Sequence, residues 1–136
     1  MVEREKSNFA GPELLDKTIG VLGLGSTGAL VANACQSLGM EVLGYDPFMS
    51  VDAAWRLSRK ILRADDIEEV YRSCDYISIN LPYNENTRHM LDDKAFSMMR
   101  DGVRIINESR AEAVDDDAML RALESGKVAK YVTDFP

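Results

Sequence analysis

The fold of this chain is decided by Ile19-Gly20-Val21-Leu22-Gly23-Leu24-Gly25-Ser26-Thr27-Gly28, an apolar run that ends in a Gly-x-Gly-x-x-Gly pattern. Gly23 lets the chain turn sharply out of a strand, and Gly25 lets a pyrophosphate approach the backbone because it has no Cβ. Gly28 lets the following helix pack closely on the sheet, and the free N–H groups of the first helical turn face the phosphates. With a strand before it and an amphipathic helix after it, the pattern predicts a dinucleotide site.

An acidic residue at a suitable distance supports that interpretation. Asp46 ends a second apolar run, Val42-Leu43-Gly44-Tyr45, and lies 18 residues past Gly28. The acid that binds the adenosine ribose hydroxyls in such sites lies about 20 residues past the glycine pattern. A carboxylate there would repel a 2′-phosphate, and Pro47 supplies no arginine to neutralise one, so the sequence predicts NAD in preference to NADP. The alternative is a glycine turn beside an unrelated surface aspartate.

Strands alternate with helices along the whole chain. The hydrophobic pattern predicts strands at residues 18–22, 41–45, 60–63, 75–80, 103–107 and 128–134, with helices at 27–38, 51–57, 66–73, 92–99 and 115–125. In the first helix, the spacing places Leu30, Val31, Ala34, Cys35 and Leu38 on one apolar face. Alternation of this kind predicts an α/β fold, a Rossmann-type doubly wound parallel sheet of about six strands in the order 3-2-1-4-5-6.

Composition limits the range of partners. The 136 residues include 16 basic and 23 acidic side chains, for a net charge of −7, which argues against nucleic acid or an anionic membrane as the main partner. Cys35 and Cys74 form no Cys-x-x-Cys pair, so we expect buried free thiols in a reducing compartment. Residues 1–6 do not resemble a signal peptide, and no apolar run reaches the roughly 18 residues that span a bilayer. We therefore expect a cytoplasmic protein.

Other polar features have simpler interpretations. His89, the only histidine, lies in a polar loop and is expected to be a solvated surface residue. The acidic run at 115–117 is expected to cap a helix rather than to bind a metal, and no metal site is predicted. A basic cluster is expected to form a solvated helix face, with phosphate contact as the weaker alternative; it comprises Arg56, Arg59, Lys60 and Arg63.

Several further motifs point to one family. They are Phe9-Ala10-Gly11-Pro12, Tyr45-Asp46-Pro47-Phe48, Leu81-Pro82 with Thr87, Gly102-Val103-Arg104-Ile105-Ile106-Asn107-Glu108-Ser109-Arg110, and the run from Leu123 to Ala129 with Asp134. Through them the sequence resembles the NAD-binding domain of the D-isomer-specific 2-hydroxyacid dehydrogenases, and most of all the members that oxidise D-3-phosphoglycerate in serine biosynthesis. The resemblance implies an oxidoreductase, with residues 1–17 as a lead-in segment, residues 18–136 as the NAD-binding domain, and a substrate domain outside this chain.

The resemblance also implies roles for individual residues. Arg110 matches the catalytic arginine that grips the substrate's carboxylate and carbonyl oxygen, a role suited to a planar, permanently charged guanidinium. The backbone of Ser26 and Thr27 would hold the pyrophosphate, and Asp46 the ribose. The remaining matched positions are Leu81, Pro82 and Thr87 on the adenine side, Glu108 and Ser109 at the nicotinamide end, and Asp134 facing the carboxamide.

The chain departs from the family pattern near the arginine. Ala111 and Glu112 stand where two glycines are usual, Glu108 replaces a small residue, and Asn80 replaces a common histidine. The family's general acid–base histidine and its glutamate partner lie beyond Pro136, so we expect this chain by itself to bind cofactor without turnover. A non-catalytic NAD-binding or regulatory module is the rival interpretation. The resemblance further implies a homodimer formed by these domains and a small-molecule 2-hydroxy acid as the parent protein's substrate.

Overall fold

The computed structural model describes residues 13–135. The lead-in predicted at residues 1–17 therefore lies largely outside the described residues, as do the Phe9-Ala10-Gly11-Pro12 motif and Pro136. Within the described part of the chain, no helix is both long and apolar enough to cross a membrane.

Six parallel strands form one sheet in the order β3-β2-β1-β4-β5-β6. The strands are β1 Thr18–Leu22, β2 Glu41–Tyr45, β3 Leu62–Arg63, β4 Tyr76–Ile79, β5 Val103–Asn107 and β6 Val128–Thr133. The helices are α1 Ser26–Ser37, α2 Val51–Trp55, α3 Ile67–Ser73, α4 Asp93–Met98 and α5 Asp116–Ser125, with a 3₁₀ turn at Ala111–Ala113. The predicted class and strand order are confirmed, although β3 is only two residues long.

Local sequence signals account for most helix ends. Ser50, Asp66, Asp92 and Asp115 each accept a hydrogen bond from a backbone N–H in the first turn of the helix that follows. Gly39 and Gly126 take left-handed conformations, with φ of 86° and 83°, just after α1 and α5. The acidic run at 115–117 is thus confirmed as a helix cap, and no cluster of potential metal ligands occurs in residues 13–135.

The core lies on both faces of the sheet. On one face, α3, α4 and α5 cover a cluster centred on Ile77, Ile79 and Ile105. On the other face, α1 covers a smaller cluster that includes Ile19, Val21 and Val42. This arrangement leaves the carboxyl ends of all six strands along one edge, where ligands bind in open α/β sheets.

The two cysteines differ in environment. Cys74 is buried beside β1, and its burial raises the pKa of the thiol to about 12, whereas Cys35 is half-buried. Both are free thiols, as predicted, but only Cys74 is fully buried.

The apolar face predicted for the first helix is only partly confirmed. Val31 and Cys35 are half-buried and pack against the smaller cluster, whereas Leu30 and Leu38 are 71% and 59% exposed. The fully buried residues of α1 are Gly28, Ala29 and Ala32. A Cβ on Gly28 would overlap the carbonyl oxygen of Gly23, so the closest approach of the helix to the sheet admits only small residues.

Candidate functional site

The glycine loop occupies the carboxyl end of β1, at the centre of the sheet. Gly23 has φ of 91°, and a Cβ there would lie 2.5 Å from the carbonyl oxygen of Asn80. Gly28 is excluded from carrying a side chain by the carbonyl of Gly23. Two glycines of the pattern are therefore required by the fold of the loop itself.

The third glycine serves no such packing purpose. A Cβ on Gly25 would meet no heavy atom within 4 Å, so the space in front of this residue is open. Gly25 is also the N-cap of α1, where no side chain accepts a hydrogen bond and the first turn has no acidic residue. The exposed Ser26 and Thr27 begin this helix. Within residues 13–135, the backbone N–H groups of Ser26 and Thr27 have no acceptor, and the space beside them at Gly25 is open, which suits a phosphate.

Asp46 is tied directly to the glycine loop. Its Oδ2 accepts a hydrogen bond of 2.8 Å from the backbone N–H of Leu24, and its Oδ1 accepts one of 2.9 Å from Phe48. These bonds fix the half-buried carboxylate while leaving each oxygen a further lone pair for a ligand. The sequence predicts the position of Asp46 but not its second role, which is to hold the glycine loop through the hydrogen bond from Leu24.

A groove of about 680 Å³ runs from the glycine loop toward α3 and α4. It brings together six of the residues predicted for cofactor binding: Gly23, Gly25, Asp46, Leu81, Pro82 and Thr87. Apolar and aromatic side chains that the sequence interpretation missed line the rest, chiefly Tyr45, Pro47, Ile67, Tyr71 and Met90. Their place in the groove could have been inferred only by knowing that the loops after β2 and β4 face each other.

Thr87 organises one wall of this groove. Its hydroxyl oxygen lies 3.0 Å from the carbonyl oxygen of Pro82, to which it donates, and accepts 2.9 Å from the N–H of Asn84. The side chain is 9% exposed. Its hydrogen bonds thus hold the loop that follows β4 in shape.

Tyr71 adds a polar group to the same groove. Burial raises the pKa of Tyr71 well above its usual range, and the nearby Asp92 carboxylate raises it further. The protonated hydroxyl can donate a hydrogen bond, and the raised pKa keeps it protonated well into the alkaline range.

The predicted catalytic residue lies at the other end of the site. Arg110 is exposed and lines a separate pocket of about 360 Å³ with Pro82, Tyr83 and Glu112. Pro82 belongs to both cavities, so the two are neighbours. A bidentate cation in a pocket next to the groove can hold a carboxylate.

Three other predicted residues follow the ends of β5 and β6. Glu108 is exposed and Ser109 half-buried, both directly after β5. Asp134 is exposed directly after β6. The structure therefore places them on the ligand-binding edge of the sheet, although none lines the main groove.

The loop after β4 is bonded to the segment that follows Arg110. His89 donates its backbone N–H to the carbonyl of Glu112 at 2.7 Å, and Leu91 pairs with residues 113 and 115 as in a short parallel bridge. His89 is exposed, as predicted, and has φ of 50°. This bonding joins the wall of the groove to the Arg110 pocket.

Comparison with known proteins decides the family. Residues 2–136 match the family model described as D-isomer specific 2-hydroxyacid dehydrogenase, NAD binding domain. The chain belongs to this family. Its sequence is 40% identical over 130 residues to D-3-phosphoglycerate dehydrogenase of Pongo abelii, a match covering 96% of this chain and 24% of the relative. The chain thus spans about a quarter of the length of the curated relatives it matches.

Solved structures of this dehydrogenase family share the fold. The apo structure of D-lactate dehydrogenase from Escherichia coli superposes with a TM-score of 0.86 at 26% identity, covering 98% of this chain and 44% of that one. D-lactate dehydrogenase from Aquifex aeolicus, complexed with NAD and lactic acid, gives 0.83 at 33% identity, covering 98% and 41%. A glyoxylate reductase also shares the fold, with a TM-score of 0.81 at 33% identity, covering 91% of this chain and 37% of that one. The likeness therefore establishes the family and its cofactor rather than one substrate.

The residues present fit NAD, the cofactor of this family. Open space before Gly25, an uncapped helix N-terminus and a fixed carboxylate at Asp46 are the features that a dinucleotide needs. A small pocket of about 200 Å³ also borders Asp46 and is lined partly by Arg59 and Arg63. Two members of the predicted basic cluster thus line the same pocket as Asp46.

Proposed function

We propose that this domain holds NAD along the groove, with each part of the cofactor assigned to a different set of residues. The backbone at Gly25, Ser26 and Thr27 binds the pyrophosphate, and the free lone pairs of Asp46 accept hydrogen bonds from the adenosine ribose. The apolar side chains near Ile67 and Met90 enclose the adenine. The observation that carries this assignment is the open space at Gly25 beside the braced carboxylate of Asp46.

The protein to which this domain belongs is proposed to oxidise a D-2-hydroxy acid. Arg110 binds the substrate carboxylate, the hydroxyl proton passes to a base, and the Cα–H bond breaks as the 2-oxo acid forms. NAD, when bound, supplies the hydride acceptor. Glu108 and Ser109 border the nicotinamide end, and Asp134 accepts from the carboxamide. We favour D-3-phosphoglycerate as substrate, a step of serine biosynthesis, since the curated relatives at 38–40% identity are D-3-phosphoglycerate dehydrogenases.

The substrate can be tested with the complete reading frame that encodes this chain. The expressed protein should reduce NAD with D-3-phosphoglycerate at a higher kcat/KM than with D-lactate or D-glycerate. Arg110→Ala should reduce that kcat/KM by about 100-fold or more, because an ionic, bidentate contact to the carboxylate is lost. A preference for D-lactate would overturn the substrate assignment while leaving the reaction class intact.

A non-catalytic NAD-binding module is the second candidate. It is favoured by Glu108 and Glu112, two exposed carboxylates flanking Arg110 that would repel an anionic substrate. In that case the expressed protein binds NAD but shows no turnover with any of the three acids. Sequencing beyond residue 136 gives an earlier indication, because the enzyme requires a glutamate–histidine pair there.

We propose further that the domain forms a homodimer through the outer face of α1. Leu30 and Leu38 lie two turns apart on that helix and are exposed, as are Leu14 and Leu15 before β1. Exposed apolar patches of this kind favour association. Light scattering should show a dimer that Leu30→Glu dissociates, whereas Leu120→Glu, on α5, should leave it intact.

A further inference from the structure

Asn107, the last residue of β5, forms hydrogen bonds with Arg110 and with Ser109, the residue before it. Asn107 is fully buried, with 0% of its surface exposed. Its Oδ1 accepts from the backbone N–H of Ser109 at 3.2 Å and from the hydroxyl of Ser109 at 3.3 Å. Its Nδ2 donates to the backbone carbonyl of Arg110 at 2.9 Å. One side chain therefore fixes the backbone on either side of the Ser109–Arg110 peptide.

The orientation of this amide follows from its partners. A backbone N–H can only donate and a backbone carbonyl can only accept, so the oxygen of Asn107 faces Ser109 and its nitrogen faces Arg110. The second hydrogen on Nδ2 then needs an acceptor in a buried place. Tyr131 supplies it, with its hydroxyl oxygen 3.2 Å away.

A register shift in the sheet brings Tyr131 to this position. Val103 of β5 lies opposite Val128 of β6, but Arg104 lies opposite Lys130 rather than residue 129. After the shift, Tyr131 is paired with Ile105, and its side chain points to the same face of the sheet as Asn107. Without the extra residue Tyr131 would face the opposite side, because side chains alternate along a strand.

We propose that Tyr131 and Asn107 are positioning residues for Arg110. Together they hold the Glu108–Arg110 segment in one conformation, so that the guanidinium projects from a fixed Cα into the pocket beside Pro82 and Tyr83. The carbonyl of Arg110 also accepts from the N–H of Ala113 at 3.2 Å, which anchors the segment on its other side. The proposal rests on the carboxylate-binding role of Arg110 given above.

The first arm of the test measures the segment itself in the 136-residue chain, without ligand. Amide hydrogen exchange is followed by NMR in the wild type, in Tyr131→Phe, and in Tyr76→Phe as the matched control. Tyr76 is a half-buried tyrosine of β4 for which no hydroxyl hydrogen bond occurs within residues 13–135. Tyr131→Phe should accelerate exchange at Ser109 by about fivefold or more, since a buried donor loses its acceptor, whereas Tyr76→Phe should not. Unchanged exchange in Tyr131→Phe would overturn the proposal.

The second arm separates positioning from mere structural support. D-3-phosphoglycerate is titrated into the NAD-saturated chain while the side-chain Nε–H resonance of Arg110 is observed. Tyr131→Phe should raise the dissociation constant of D-3-phosphoglycerate from this titration by about threefold or more. The dissociation constant of NAD should stay nearly unchanged, because the glycine loop and Asp46 are not altered. If the affinities for both ligands fell equally, or if neither fell, the two residues would only support the fold.

A third variant covers the central residue. Asn107→Ser keeps a polar group, but the shorter side chain cannot form hydrogen bonds with Ser109, Arg110 and Tyr131 together. It should therefore change the exchange rate of Ser109 and the dissociation constant of D-3-phosphoglycerate by more than Tyr131→Phe does. If the wild-type Arg110 resonance does not respond to D-3-phosphoglycerate, the assigned role of Arg110 is overturned. The Ser109 exchange rates would still show whether Tyr131 and Asn107 hold the segment.

Discussion

The two ends of the ligand-binding edge differ in how much of the site this chain supplies. At the end proposed to hold the adenosine, called the adenosine end below, Asp46 is held by two backbone N–H groups, and Thr87 holds the facing loop. Around them lies a groove of about 680 Å³ with many apolar side chains. At the other end, Arg110 is exposed in a pocket of about 360 Å³ that four of residues 13–135 line.

The difference shows that cofactor binding and chemistry have separate requirements. The adenosine end is preorganised by contacts within the chain, so it can bind a dinucleotide with little rearrangement. Among the described residues, Arg110 is the one cation that lines the pocket at its end of the site. A substrate there would stay largely solvated unless other groups cover it.

The largest expected effect concerns turnover by the 136-residue chain alone. Positioned general acid–base catalysis contributes about 10²–10⁴-fold, and orientation of a bound substrate roughly 7–11 kcal/mol. The only histidine, His89, is exposed, and its backbone bonds to the segment after Arg110. Incubation with NAD and D-3-phosphoglycerate should therefore give no detectable absorbance of reduced cofactor. Turnover that persists after repurification and disappears in Arg110→Ala would contradict the account.

The next effect separates two glycines of the same loop. Gly28→Ala should lower both the melting temperature and NAD affinity, because its Cβ would overlap the carbonyl of Gly23 and push α1 away from β1. Gly25→Ala should weaken NAD binding by about 100-fold with little change in melting temperature, since its Cβ meets no heavy atom of the protein and enters only the space proposed for the pyrophosphate. Thermal melts and calorimetry on both variants check this. If Gly25→Ala bound NAD normally, the pyrophosphate would not lie at the loop.

A smaller effect is expected at Asp46. Asp46→Ala removes the acceptor for the N–H groups of Leu24 and Phe48 and also the proposed ligand of the ribose. We expect a loss of about 1–3 kcal/mol in NAD binding and of about 1 kcal/mol in unfolding free energy. Urea denaturation and calorimetry measure the two separately. Asp52→Ala, which removes an exposed carboxylate from α2, is the control and should change neither.

Much of the fold could be predicted because its signals are local. The glycine pattern, the capping residues and the alternation of strands with helices determine the order of the sheet, and Asp66, Asp92 and Asp115 mark helix starts correctly. The inner face of α1 could not be predicted from the periodicity of large apolar residues. The close approach of Gly28 to β1 reverses the usual rule by burying alanine and exposing leucine.

The residues of the candidate site could be predicted only where they belong to a sequence motif. Gly25 and Asp46 follow from spacing along the chain. The remaining features join segments that are distant in the sequence, so no motif indicates them. They are the hydrogen bond from Leu24 to Asp46, the apolar walls near Ile67 and Met90, and the hydrogen bond between Asn107 and Tyr131. The last of these also depends on a register shift in β6, which leaves no signature in composition or hydrophobic pattern.

The central claim is that Asp46 and the glycine loop make this chain a domain selective for NAD. Titration calorimetry of the purified chain with NAD and with NADP, under identical conditions, tests it most directly. NAD should bind at least about tenfold more tightly, a difference of about 1.4 kcal/mol, and Asp46→Ala should narrow that gap. Equal or tighter binding of NADP would contradict the claim, and would indicate that Arg59 and Arg63, beside Asp46, neutralise the 2′-phosphate.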